Sequence, residues 1–312
     1  MLFSMVQDKY NPLISVGIVA YNSSEFILDL LESIKAQTYQ NIELIVADDK
    51  SSDNTVKICE EWIARNKERF VRTEVIVPEH NTGTAGNYNR ALFAAKGEWM
   101  KFIDGDDIMF PNCLEDNVAF VASHPEANVV FSDILYFTDA KNPSNKHFVS
   151  EEEKRFFEKD AYEQFMFVLK KNHIPPSSSF MRTNLLKKNP YQEEYKIIED
   201  TPKWIDLLKK GNKFYYFDIV TTGYRQSESV LRSKERYYSP LYIDCYFKFL
   251  WNEKLNLIKE HHNQEAYNYN RKQALMFDLA FALFDNKKTW YHDIMYFFVR
   301  AFIKLFINYK MH

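Results

Sequence analysis

Four short segments, residues 13–20 (LISVGIVA), 42–47, 71–77 and 99–103, read as strands, all but the third mainly apolar, and segments of helical spacing separate them. The first is continuous and rich in β-branched residues, which suits a strand buried on both faces of a parallel sheet. After it, Asn22 followed three residues later by Glu25 resembles a capping box, and Phe26, Ile27, Leu30, Leu31 and Ile34 recur as one helical face. Ser51, Ser52 and Asp53 offer caps for a helix through Trp62, and residues 81–97 (NTGTAGNYNRALFAAKG) are polar and glycine-bearing before turning helical. Strand and helix alternating in this way predict a layered α/β fold, a mainly parallel sheet flanked by helices. The 312 residues, 46% of them apolar, suffice for a substantial core.

The fourth run ends unusually. Residues 99–103 (WMKFI) are apolar except for Lys101 and pass directly into Asp104, Asp106 and Asp107 around Gly105. Like charges this close cost free energy unless a cation lies among them, which predicts a hard divalent ion, Mg²⁺ or Mn²⁺, on oxygen ligands. Magnesium sites of this kind use one or two carboxylates and let substrate phosphates complete the shell, so a nucleoside diphosphate is implied. The competing reading is a solvated acidic turn ahead of the helix that follows Pro111. In α/β sheets ligands bind at the carboxyl ends of strands, and that edge collects Tyr21, Asp49, Asn81 and the acid cluster.

Several classes are excluded. With 40 basic and 43 acidic residues the net charge is −3, so the overall charge gives no case for nucleic acid. Cys59, Cys113 and Cys245 lie far apart without a CxxC pair, which argues against disulfides and zinc and fits a reducing cytoplasm. Neither GxGxxG nor GxxxxGK[ST] occurs among only 7 glycines, so phosphate must be met by metal and side chains. Residues 1–12 show no basic region followed by an apolar run, so no secretory signal is expected.

Further along, a helix over 113–123 and a strand over 128–137 complete this half, and the charged stretch 138–160 reads as a surface excursion. A short helix over 165–169 precedes His173, Pro175, Pro176 and Ser177 to Ser179, which break any regular element. Glu199 and Asp200 then precede a helix with Pro202 in its first turn and Lys209, Lys210 and Gly211 at its end. A strand over 214–219 and the segment Gly223, Tyr224, Arg225 follow.

Four blocks in this order, ISVGIVAYN, ELIVADDKSSDNT, NTGTAGNYNRAL leading to WMKFIDGDDIMFP, and EDTPKWIDLLKKG with GYRQSES, resemble the inverting glycosyltransferases of family 2 over residues 12–232. The resemblance implies the GT-A fold, an NDP-sugar donor with UDP-sugar as the expected class, and a divalent metal. It implies that Tyr21 and Asp49 hold the nucleobase and ribose, that Asp106 and Asp107 bind ribose and metal with Asp104 in support, and that Asp200, beside Glu199, is the base. Asn81 belongs to the same nucleotide edge, and Arg90 and Arg225 are phosphate ligands or ordinary ion-pair partners. Tyr88 stands where many members carry Arg, and Ser227 where a His is common, which leaves Arg225 as the nearest contact for the leaving group. For Glu199 and Asp200 the alternative is helix N-cap chemistry.

Residues 1–235 are thus expected to form the donor-binding and catalytic domain and 236–312 a helical extension. The tail is rich in Tyr, Phe, Lys and Asn, with helical spacing at Leu275, Leu279 and Ala282. Asp293, Arg300 and Lys304 share one stripe of an otherwise apolar segment, 290–307, which suits a membrane interface, packing on its own domain, or a second subunit. The expected partners are the NDP-sugar donor and a saccharide or lipid-linked saccharide acceptor, in bacterial surface polysaccharide synthesis. The expected location is the cytoplasm or the inner face of its membrane. A sugar nucleotidylyltransferase is the enzymatic rival, but it should carry a GxGTR-like loop where this chain has AYNSSEF. A non-catalytic sugar- or nucleotide-binding module is the other.

Overall fold

The computed structural model describes residues 10–137, 150–172, 174–226, 239–284, 294–295 and 297–298. Contacts divide the chain into two units after Gln226, with residues 169–172 grouped with the second.

The first unit opens with β1 (Ile14–Ala20), α1 (Ile27–Lys35), β2 (Ile42–Asp48), α2 (Thr55–Asn66), β3 (Arg72–Ile76), α3 (Thr84–Ala94) and β4 (Trp99–Asp104). Every residue of β1 and β2 is buried, as apolar runs without alternation require. On α1, Ile27, Leu30, Leu31 and Ile34 are fully buried, each worth roughly 1.5–3 kcal/mol of transfer free energy. There follow β5 (Ile108–Met109), α4 (Cys113–Ser123), β6 (Val129–Phe137), α5 (Glu151–Glu158), α6 (Ala161–Lys170), β7 (Phe180–Arg182), α7 (Thr183–Lys188), α8 (Asp200–Lys209) and β8 (Phe214–Arg225). The sheet order is β3-β2-β1-β4-β7-β6-β8-β5. β3, β2, β1 and β4 are parallel, β7 is antiparallel to both β4 and β6, and β8 is parallel to β6.

Three local expectations change. Asn22 caps no helix: it sits at φ +50, its Oδ1 accepts from Ser52 N at 2.8 Å, and α1 begins only at Ile27. The link between β1 and α1 is therefore a turn tied to the loop after β2. Within the charged stretch, residues 151–158 are helical, because Ser150 and Glu153 form a reciprocal capping box. Gly223, Tyr224 and Arg225 continue β8, where Gly223 pairs with Ile108 and Leu135.

The second unit holds α9 (Pro240–Phe249), a π-turn (Leu250–Lys254), α10 (Leu255–Glu260) and α11 (Gln264–Phe284). Its aromatic bias is used internally: Tyr242, Tyr246 and Phe247 surround Phe277 at centroid distances of 6.4, 5.0 and 5.9 Å. No helix among the described residues is long and apolar enough to cross a membrane. The charged stripe of Asp293, Arg300 and Lys304 lies outside the described residues, as do His173 and Ser227.

Candidate active site

Strand register decides where the polar chemistry collects. Ala20 pairs with Asp48 and Val19 with Asp104, so β1, β2 and β4 end nearly level, and Tyr21, Asp49 and Gly105 follow on one edge. Tyr21 is 47% exposed and offers a ring face to a ligand. Asp49 is 3% exposed. Its Oδ1 accepts from Thr82 N at 2.9 Å and Thr82 Oγ1 at 2.8 Å, and its Oδ2 accepts from Gly83 N at 2.7 Å. Gly83 holds φ +86, a conformation that favours glycine. Asn81 Nδ2 donates to Asp49 O at 2.9 Å, and Arg90 lies 3.4 Å from Asp49 Oδ1 while donating to Thr82 Oγ1 at 2.8 Å. Asp49, Asn81 and Arg90 therefore stand together and fasten the 81–83 turn against the ends of β1 and β2. Asn87, which sequence reading passed over, completes that wall: its Nδ2 donates to Ala20 O and Ala47 O at 3.1 and 2.9 Å.

The acid turn is held as tightly. Gly105 N donates to Val19 O at 3.0 Å, and a Cβ at Gly105 would lie 2.6 Å from Ser23 Oγ, so glycine is what allows the approach. Asp104 and Asp106 are half-buried, whereas Asp107 is 1% exposed. Arg225 N donates to Asp107 Oδ1 at 2.9 Å, its Nε to Asp106 O at 2.7 Å, and its Nη2 to Asp29 Oδ2 at 2.9 Å. The guanidinium also lies 4.4 Å from the Phe26 ring centroid and 4.5 Å from that of Phe137. Arg225, expected near the diphosphate, is 7% exposed and pins the acid turn from within the fold. Asp107 Oδ2 is shielded from solvent and has no hydrogen-bond partner.

Glu199 and Asp200 begin α8, yet Glu199 makes no side-chain cap hydrogen bond. The pair instead belongs electrostatically to the acid turn. Burial, then Asp200, then Asp104 push the Glu199 carboxyl up to about 8. Burial and the Asp106 charge push Asp104 up to about 7 against the Tyr88 hydroxyl, which donates to its Oδ1 at 3.1 Å, while Asp200 adds to the rise. Asp107 is raised well above the carboxylate range by burial and by Asp104 and Asp106. Tyr88 in turn packs on Tyr191 at 4.8 Å between centroids, and Tyr191 feels Glu199, Asp104 and Asp200. Tyr191 carries no signal in sequence spacing, and Tyr88 shows there only as a departure from the family block; packing brings both to the acids.

A buried oxygen without a donor, among carboxyls that hold each other's protons, is a donor set suited to a cation. Among the described residues no three His, Cys, Asp or Glu side chains could hold a metal by themselves. One consequence concerns pH. Glu199 has a folded pKa above its unfolded value, so its contribution favours the fold fully below the unfolded carboxylate range and is lost as pH rises toward about 8. The metal-free protein should therefore lose thermal stability as pH rises from about 4.5 to about 8, and Glu199→Gln should flatten that slope. Calorimetric melting across the range measures both.

The sequence profile described as Glycosyl transferase family 2 matches residues 15–189, which contain the nucleotide edge and the acid turn. The chain belongs to that family. It is 35% identical over 128 residues to the putative glycosyltransferase EpsE of Bacillus subtilis (strain 168), covering 41% of this chain and 45% of that one, so the match spans under half of EpsE. It is 31% identical over 215 residues to the UDP-Glc:alpha-D-GlcNAc-diphosphoundecaprenol beta-1,3-glucosyltransferase WfaP of Escherichia coli, covering 68% of this chain and 77% of that protein. Among solved structures, the mannosyltransferase PcManGT from Pyrobaculum calidifontis in complex with GDP-Man and Mn²⁺ superposes with a TM-score of 0.57 at 14% identity, over 98% of this chain and 90% of that one. Such a likeness establishes the fold, which is the GT-A type.

Proposed function

We propose that this chain is a metal-dependent, inverting glycosyltransferase that moves a sugar from a UDP-sugar to a saccharide or lipid-linked saccharide in surface polysaccharide synthesis. The observation that supports the reading is the nearness of the 104–107 acid turn to Glu199 and Asp200: Tyr88, on Asp104, packs on Tyr191, and Asp200 and Asp104 both raise Glu199. WfaP, whose name gives a UDP-glucose donor and a lipid diphosphate acceptor, supports the substrate classes, and PcManGT with Mn²⁺ supports the metal.

Inverting transfer is one displacement at the anomeric carbon: an acceptor hydroxyl loses its proton to a base on one face while the nucleoside diphosphate departs on the other. Asp106 and Asp107 would hold Mg²⁺ or Mn²⁺, Asp106 through a half-buried carboxylate and Asp107 through the oxygen for which the fold supplies no donor. When bound, that ion supplies Lewis-acid neutralisation of the charge gathering on the leaving diphosphate. Tyr21 offers a face for the nucleobase, and Asp49, Asn81 and Arg90 shape the wall beside it. Asp200, the base by the family motif, is the member of the pair that accepts a proton from the acceptor in this reading, and Glu199 beside it is raised by burial and by Asp200. Residues 1–235 form the catalytic part in this reading and 236–312 the extension. Ile294, Met295, Phe297 and Phe298 are all at least half exposed, which supports contact of that extension with the inner face of the cytoplasmic membrane or with a second copy.

Calorimetric titration with UDP, with and without Mn²⁺, followed by a panel of NDP-sugars scored for metal-dependent release of the nucleotide, tests the proposal. UDP should bind only when the metal is present, and a UDP-sugar should turn over fastest. Binding of UDP without turnover of any sugar would instead make the chain a non-catalytic module.

A further inference from the structure

Lys101 lies in the middle of β4 and is fully buried. Its Nζ donates to Ser177 O at 2.6 Å and to Ser179 O at 3.3 Å. Burying an ammonium costs free energy even when it is hydrogen-bonded, and an apolar side chain would serve the strand at less cost. The sheet shows what the charge does instead. β4 pairs with β7 only at Trp99 and Met100, so from Lys101 onward its far side has no strand neighbour. Residues 175–179 fill that opening. From the other side, Ser132 of β6 donates to Ser178 O at 3.4 Å and Thr222 of β8 to Ser177 O at 3.3 Å. Lys101 is thus a tie between β4, whose end carries the acid turn, and the β6 and β8 half of the sheet. On that half stands α8, with Trp204 against Phe131 at 5.1 Å and Phe214 at 5.5 Å. Tyr21, Asp49, Asn81 and Arg90 occupy the opposite half, beyond β1 and β2.

We propose that Lys101 is a positioning residue for sugar transfer, fixing the 175–179 segment to β4 so that the half carrying Asp200 keeps its register against the half that takes the nucleotide. This rests on the reading of the acid turn and Asp200 given under Proposed function. The ammonium is fully buried against the Ser177 and Ser179 carbonyls, and Asp49, Asn81 and Arg90 are held in place without it. Its loss should leave nucleotide binding intact and disturb the alignment of acceptor and base.

The test compares wild type, Lys101→Met and Lys101→Arg. UDP affinity is measured by calorimetry with Mn²⁺, and transfer from a UDP-sugar to a synthetic alkyl ester of α-GlcNAc diphosphate is measured at saturating donor. Lys101→Met should bind UDP as wild type does and lose roughly tenfold or more in kcat/KM for the acceptor, the scale expected of small misplacements. Lys101→Arg, which keeps the charge and donors, should recover part of it. If Lys101→Met does not fold, Lys101→Gln, which retains a donor for one carbonyl, takes its place with the same expectations. Wild-type transfer by the Met or Gln variant overturns the proposal, as does a parallel loss of UDP binding and transfer, since that makes Lys101 a core strut only. Wild-type protein that neither binds UDP with Mn²⁺ nor transfers overturns the underlying functional reading instead.

Discussion

Asp200→Asn is expected to retain Mn²⁺-dependent UDP binding and to lose sugar transfer by on the order of a hundredfold or more, the usual contribution of a general base. The family motif assigns the base to Asp200, and Glu199 beside it is raised by burial and by the Asp200 charge. Thr201 N donates to Asp200 Oδ1 at 2.6 Å and Thr201 Oγ1 to the same oxygen at 3.2 Å, and Asn can keep both of these acceptor roles. The variant therefore changes the basicity and little of the shape. Removing one charge from the cluster should also let Glu199 ionise more readily, so Asp200→Asn should shift the pH dependence of apo stability toward the ordinary carboxylate range. Near-normal transfer by Asp200→Asn, with loss in Glu199→Gln, would exchange the two roles.

The layered fold was legible because both faces of β1 and β2 are buried, which leaves an unbroken apolar run in the sequence. The family followed from motifs that strand ends impose: a parallel strand must stop at the ligand edge, and the residues at or just past the stop show in the sequence as Tyr21, Asp49 and Asp104. What spacing cannot show is which neighbour a side chain meets. Arg225 reads equally as a phosphate ligand or an ion-pair partner, and only the course of β8 through Gly223 shows it paired with Asp29 under the acid turn, between Phe26 and Phe137. Asn22 reads as a cap because Glu25 follows it at the correct interval, but its carbonyl is taken by Ser52, thirty positions away. Lys101 reads as an interruption in a strand, and only the opening between β4 and β6 explains it. Each of these readings turned on a contact distant in the chain, where local pattern carries no information.

For the metal, Asp106→Asn and Asp107→Asn should each weaken Mn²⁺-dependent UDP binding by at least the roughly 10–100-fold that loss of even an outer partner costs a metal site. Asp107 gives the sharper experiment. Asn at that position can still accept from Arg225 N while it removes a carboxyl whose ionisation burial and the neighbouring acids oppose, and the apo protein has no donor for the second oxygen. A buried carboxylate without full compensation destabilises the fold, so the apo Asp107→Asn protein should melt at or above the wild-type temperature. Binding and stability should then move in opposite directions, a pattern that simple structural damage does not produce. Asp106, half-buried and with its backbone oxygen rather than its carboxylate held by Arg225, should lose binding without that gain. If Asp107→Asn binds UDP with Mn²⁺ as wild type does while Asp106→Asn does not, the ion rests on Asp106, and Asp107 serves only to join the acid turn to β8. If neither variant weakens binding, the acid turn is not where the nucleotide's charge is met, and the proposed metal chemistry falls with it.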